Sequence, residues 1–213
     1  MTGQNAPTVP APVFFLSYGR TGSRRDTDPV ASFFDDLSAQ MSQLVDLLPG
    51  REPGFMDRTM DGGQDWERHI LGAAGTSQVF VALLSTRYVL RSVWCAREWD
   101  LASRRLVKPR PGFSGGTETM ILPVLWAPIK VPIPDRIKRI QLFSPTDLHN
   151  PAYRQRYETN GIYGLWFQDP DAYKSIVWQL AMRIQTMWAA QYVEPWIPES
   201  TAGLAENFGE VTP

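Results

Sequence analysis

The sequence holds a single cysteine and only two histidines among its 213 residues. One cysteine excludes an internal disulfide and fits a reducing cytoplasm. His69 falls in the middle of a predicted helix and His149 in a proline-flanked loop. Neither has paired ligands nearby, so no metal is expected. An excess of one charge is also missing. Twenty-one Lys and Arg stand against 22 Asp and Glu, a net charge of −1. Nothing therefore draws the chain to nucleic acid or to an anionic membrane. No apolar run approaches the roughly 20 residues of a membrane span. The opening residues lack the basic and apolar regions of a secretory signal. There is no Walker pattern and no G-x-G-x-x-G, so neither a P-loop NTPase nor a Rossmann hydride-transfer enzyme is supported. No internal repeat is visible.

What is plentiful is aromatic. Aromatic residues make up 12% of the chain, eight of them Trp. That favours a large core, an aromatic-lined cleft or a self-association surface. Residues 1–12 read as a disordered leader, 13–192 as one domain, and 193–213 as a C-terminal tail, disordered from Glu199.

Strand signals alternate with helix signals. Val13-Phe14-Phe15-Leu16 is a short strand ended by Ser17-Tyr18-Gly19-Arg20. A polar loop leads to a helix starting near Asp28, with Pro29 at its first position. Apolar residues from Phe33 to Leu48 keep helical spacing until Pro49-Gly50. Gly54-Phe55-Met56 is a second strand. The loop after it carries Gly62-Gly63, and Asp65 caps a helix over Trp66 to Ala74. Val79 to Leu84, six apolar residues in a row, suits a strand buried on both faces. Ser85-Thr86-Arg87 reads as a turn. A helix then runs from Val93 to Arg105, with Ser92 as N-cap. Lys108 to Thr119, with two Pro and three Gly, reads as a flexible loop. Met120 to Trp126 is another strand. Arg136 to Phe143 reads as a strand or a helical turn, Tyr153 to Phe167 cannot be typed, and Asp171 to Gln191 is a helix. The alternation predicts an α/β fold: a doubly wound parallel sheet of about five strands.

Within the Val93 helix, Trp94 and Glu98 are four apart and share a face. The helix begins at the carboxyl edge of the sheet, where open α/β folds place their crevices. An indole beside a carboxylate there suits a planar ligand.

Taken in order, these landmarks resemble a TIR domain. Phe14-Phe15-Leu16-Ser17-Tyr18 is similar to that family's first box. Phe55-Met56-Asp57-Arg58, then Gly62-Gly63 and Trp66, is similar to its second strand and BB loop. Ser85, Tyr88, Ser92 and Trp94-Cys95-x-x-Glu98 resemble its strand-end serine and the motif on its third major helix. With Gly161-Ile162-Tyr163-Gly164-Leu165, the likeness is nearest to bacterial, actinomycete-type TIR-like proteins, including those accompanying FxSxx-COOH peptide systems. The chain departs from better-studied members at the third box, where Trp166-Phe167 is a weak counterpart, and in the length of its Lys108 to Thr119 loop.

The resemblance implies a flavodoxin-like fold and a choice of functions. Some TIR domains hydrolyse NAD+ at the nicotinamide–ribose bond, at times cyclising the ADP-ribose, and bacterial ones often serve antiphage defence. Others are adaptors that only assemble with further TIR domains. As an enzyme, the chain would take NAD+ as substrate with no cofactor and no metal. It would be activated by homotypic TIR–TIR assembly, in the cytoplasm, beside a separate sensor. The chemistry is coherent. Nicotinamide leaves neutral, so no general acid is needed, and one carboxylate remains to stabilise the ribosyl cation. Glu98 is the candidate. Ser17 and Arg20 would meet ribose or phosphate. Asp57, Arg58 and Trp66 would close over the nucleotide, and Trp94 or Tyr18 would stack on a ring. A nucleoside deoxyribosyltransferase-like N-glycosidase is a third reading.

Plainer readings stand beside these. A Glu on an amphipathic helix is ordinarily a solvated group. Cys95 is expected to be a small buried hydrophobe rather than a nucleophile. Arg24-Arg25 fits a solvated loop, Gly62-Gly63 fits a turn, and the late tryptophans fit a core.

Overall fold

A computed structural model describes residues 11–20, 24–58, 64–113, 119–146 and 148–209. The expected leader up to residue 10, the Gly62-Gly63 turn and the last four residues lie outside that range, as do the Arg24-Arg25 and Asp65 side chains.

The central apolar run forms β3 (Val79–Leu84), buried along its whole length. Successive side chains of a strand point to opposite faces, so six buried residues in a row require a layer on each side. β3 lies between β1 (Phe14–Tyr18) and β5 (Ile121–Leu125), and β1 carries β2 (Gly54–Met56) on its outer edge. All three pairings are parallel, with Leu16 beside both Met56 and Val81. Among the described residues the parallel sheet has four strands in the order β2-β1-β3-β5, in keeping with the doubly wound sheet of about five expected.

Among the described residues no further parallel strand follows β5, and the cause is local. Pro128, Pro132 and Pro134 hold the chain extended, and only one helical turn follows, α5 (Asp135–Lys138). The chain then touches the sheet edge where the Phe143 N–H donates to the Pro123 carbonyl at 2.8 Å. Pro123 lacks a ladder N–H and is placed on an edge strand, where that loss matters least.

On one face, Phe14, Leu16, Val81, Leu83, Leu122 and Val124 pack against α1 (Arg24–Leu44), α6 (Ala152–Gln168) and α7 (Pro170–Ala190). On the other, Phe15, Phe80, Ala82, Leu84 and Ile121 pack against α2 (Gln64–Thr76), α3 (Thr86–Arg91) and α4 (Val93–Ser103). Each large apolar side chain fully buried this way contributes about 1.5–3 kcal/mol.

Several boundaries differ from expectation. α1 starts before Asp28 and carries Pro29 inside it. Pro29 removes only the one N–H that would reach back to residue 25. The helix ends at Leu44, leaving Leu48 outside it and 65% exposed. α2 already includes Asp65, so that residue does not precede the helix as a cap. The Ser85-Thr86-Arg87 turn is the start of α3, whose Tyr88 N–H donates to Ser85 Oγ at 3.2 Å. The loop expected from Lys108 begins as a strand, β4 (Val107–Pro109), paired antiparallel with β6 (Gln191–Val193). That strand depends on a partner more than 80 residues away, which local composition does not reveal.

The stretch that could not be typed is α6, bent at Gly161. Gly161 has φ 67°, and a Cβ there would lie 2.5 Å from the Trp126 carbonyl oxygen. The Tyr163 N–H donates to that same carbonyl at 2.9 Å. Only glycine lets the helix approach this closely in this conformation.

The C-terminal segment is not a loose end. Leu204 and Phe208 are buried in the α2–α3–α4 layer. The segment is too polar to read as core, yet it fills the layer that three short helices leave incomplete. Among the described residues, no helix is long and apolar enough to cross a membrane.

Candidate active site

The sheet order reverses direction at β1, which has β2 on one side and β3 on the other. In open α/β sheets the crevice opens at the carboxyl ends of the strands at such a point. Ser17 and Tyr18 end β1, Asp57 follows β2, and α3 and α4 follow β3. Gly19 allows the chain to pass close to α3, since a Cβ there would sit 2.9 Å from the Tyr88 backbone nitrogen.

Ser92 sets the start of α4, its Oγ accepting the Cys95 N–H at 3.2 Å. From that start, Trp94 and Glu98 both face a cavity of about 300 Å³. Glu98 is only 8% exposed. Ser17 Oγ donates to Glu98 Oε2 at 2.5 Å. The Tyr88 hydroxyl lies 3.1 Å from Ser17 Oγ. Ser17 has one proton and gives it to Glu98, so Tyr88 donates to Ser17. A relay of three buried groups thus ends on the carboxyl.

Burial pushes the Glu98 carboxyl up to about 8. The Ser17 hydrogen bond and the Arg20 charge pull the other way, and Asp57 adds to the rise. Glu98 is therefore mostly a neutral acid at pH 7. Burial, then the nearby Glu98, pushes the Cys95 thiol far above its usual range. Cys95 is 1% exposed and stays a thiol, which matches its reading as a small hydrophobe rather than a nucleophile.

A second group of side chains lines the same cavity and is tied together. Arg20 forms an ion pair with the Asp57 carboxylate. Trp66 Nε1 donates to the same carboxylate at 2.7 Å. The Tyr18 hydroxyl and Arg20 Nη2 donate to the Asp57 backbone carbonyl at 3.0 and 2.9 Å. The Trp66 ring meets the Trp94 ring edge-on, with centroids 4.6 Å apart. Asp57 thereby ties the ends of β1 and β2 to α2, and Trp66 carries the tie across to α4.

Of the residues singled out by sequence, Tyr18, Arg20, Asp57, Trp66, Trp94 and Glu98 line this cavity. Ser17 lies against the Glu98 carboxyl. Arg58 points elsewhere: it pairs with Asp35 on α1 and sits over the Phe34 ring, 5.2 Å from its centre. Three residues escaped sequence reasoning. Arg87 and Arg91 line the cavity from α3. They are four apart, a signal that appears only once the segment is read as helix rather than turn. Tyr88 belongs to the TIR-like motif, but nothing in the sequence marks it as a partner of Ser17.

Hollows of about 510 and 460 Å³ lie along the two outer edges of the sheet, and Glu98 lines neither. Among the described residues, no three His, Cys, Asp or Glu side chains gather as a metal site. His69 packs against Phe55 and His149 against Tyr153.

A family model described as TIR domain matches residues 14–160, from the first strand into α6. No curated protein and no solved structure matches the chain.

Proposed function

The chain belongs to the TIR domain family, and from that premise we propose that it is an NAD+ glycohydrolase that cleaves the nicotinamide–ribose bond, with Glu98 as its catalytic carboxylate. The observation that carries the reading is the buried Glu98 carboxyl in an aromatic-lined cavity at the carboxyl edge of the sheet, beside an Asp57 carboxylate that is already paired with Arg20. In the proposed reaction the electron pair of the nicotinamide–ribose bond goes to the pyridinium nitrogen. Nicotinamide leaves neutral and positive charge develops on the ribosyl carbon. A Glu98 carboxylate beside that carbon stabilises the charge in a largely buried site. One water molecule then adds to the cationic carbon and releases its proton to the solvent.

Glu98 must ionise first. The substrate's pyridinium is itself a cation, and a positive charge within about 4–6 Å favours the carboxylate. Substrate binding thus supplies the condition for catalysis. The cavity is at the small end of the roughly 300–1,000 Å³ usual for ligands, so it takes the nicotinamide–ribose half of the dinucleotide. Arg87 and Arg91 are exposed on its rim and suit the phosphates.

TIR domains generally self-associate or bind other TIR proteins. In this proposal, assembly shifts the Asp57–Arg20–Trp66 tie within the cavity, in response to a separate sensor. The Gly161 to Leu165 stretch supports kinship with the actinomycete-type TIR-like proteins. A cytoplasmic defence or signalling role belongs to the same proposal.

The second reading is an adaptor that assembles through its BB loop without turnover. The observation favouring it is that Glu98 is buried and mostly neutral, as a purely structural residue would be. Incubating concentrated protein with NAD+ separates the two. Nicotinamide release by the parent and a loss of about 100-fold or more in Glu98→Ala supports the enzyme. Equal release by both proteins removes Glu98 from the reaction, and assembly without release favours the adaptor.

A further inference from the structure

We propose that Phe208 is a positioning residue for Glu98, and that the C-terminal strap around it is a working part of the site. The strap grips the flank of α4 next to the cavity-lining stripe, where Arg97 lies over the Trp94 ring at 5.4 Å from its centre. The Ala205 N–H donates to Asp100 Oδ2 at 3.1 Å, the Gly203 carbonyl accepts from Arg104 at 2.7 Å, and Glu206 pairs with Arg97. Arg97, Asp100 and Arg104 form one stripe of the helix, while Trp94 and Glu98 form the stripe over the cavity. From the gripped side Phe208 reaches inward between α3 and α4. Its ring stacks on Tyr88 with centroids 5.6 Å apart, and meets Trp99 edge-on at 5.7 Å. It is 5% exposed.

Both of its contacts lead to Glu98. Tyr88 is the outer member of the relay through Ser17 to the carboxyl. Trp99 is the next residue along α4 and is fully buried. Phe208 therefore seals the relay from behind and fixes how far α4 stands from the end of β1. Without the ring, water reaches the Tyr88 hydroxyl and α4 gains room to shift. The groups facing the Glu98 carboxyl are Ser17, Tyr18 and Arg20 from β1 and its loop, Asp57 after β2, Tyr88 from α3 and Cys95 from α4. None of these changes in a Phe208 variant, so a change in Glu98 reports on its seal and position.

The kinetic arm of the test rests on the glycohydrolase reading; the titration arm does not. The 213-residue parent, Phe208→Ala and Phe208→Leu are titrated by difference infrared spectroscopy of the carboxyl stretch. Glu98→Gln identifies the Glu98 band. The expected result is a midpoint lower by about one pH unit or more in Phe208→Ala, and an intermediate one in the better-packed Phe208→Leu. Nicotinamide release should fall about tenfold or more in kcat for Phe208→Ala with KM little changed. A shifted midpoint in a chain whose parent releases no nicotinamide sinks the enzyme reading and leaves the positioning role standing. A folded Phe208→Leu or Phe208→Ala with the parent's midpoint overturns the proposal, whatever its melting temperature. If Phe208→Ala does not fold, Phe208→Leu alone decides, by the same midpoint.

Discussion

Replacing Glu98 by Gln should stabilise the protein, and by an amount that depends on pH. The folded chain holds this carboxyl near 8 against an ordinary value of 4.5. At about 1.4 kcal/mol per pH unit, that rise means the ionised form is disfavoured in the fold by about 5 kcal/mol. The sign follows from which state holds the proton. Below about pH 4.5 the acid is neutral in both folded and unfolded chains, and the neutral form's stability is fully present. As pH rises toward 8 the unfolded chain releases its proton while the folded chain keeps it, so stability is lost through that window. At pH 7 the loss is about 3 kcal/mol. Gln has the same shape, still accepts from Ser17, and has no proton to lose. For a domain of this size Glu98→Gln should therefore melt about 6–12 °C above the parent at pH 7. The gain should shrink to nothing near pH 4.5. Differential scanning calorimetry of both proteins across pH 4–8 reads this directly. A variant that is no more stable than the parent at pH 7, or whose gain does not vary with pH, would refute the reasoning.

Other perturbations follow from the same geometry. Asp57→Asn removes a negative charge that raises Glu98, so its titration midpoint should fall; Arg20→Ala removes an opposing positive charge, so it should rise; carboxyl infrared titration reads both. Gly161→Ala forces a Cβ against the Trp126 carbonyl at a positive φ and should lose about 2 kcal/mol or more in urea unfolding. Tyr157→Phe leaves the Leu125 N–H, bonded at 2.9 Å, without its acceptor and should lose about 1–3 kcal/mol in the same assay.

The frame of the site was readable because its signals are local, while the roles of Ser17 and Asp57 came only with the resemblance to a TIR domain. Six apolar residues from Val79 announce a strand covered on both faces, and Ser92 with the uninterrupted run after it announces α4. Position along the sheet edge then brings Ser17, Asp57 and Glu98 together. What stayed hidden depends on partners far away in sequence. Pro109 forms strand structure only because Gln191 lies beside it. Phe208 stands in a polar stretch and becomes core only against Tyr88 and Trp99. The helical spacing of Arg87 and Arg91 was masked by reading Ser85 as a turn residue when it is an N-cap. The neutral state of Glu98 was also invisible, because burial and not sequence neighbours produces it.

The most direct test of Glu98 as the working carboxylate is the pH dependence of kcat/KM for nicotinamide release from NAD+ by concentrated protein. That quantity reports the free enzyme's ionisation. The expected profile for the parent rises with pH and levels off near 8, and Glu98→Gln is slow and flat throughout. A parent profile that is flat over the same range, or one that Glu98→Gln reproduces in rate and shape, would contradict it.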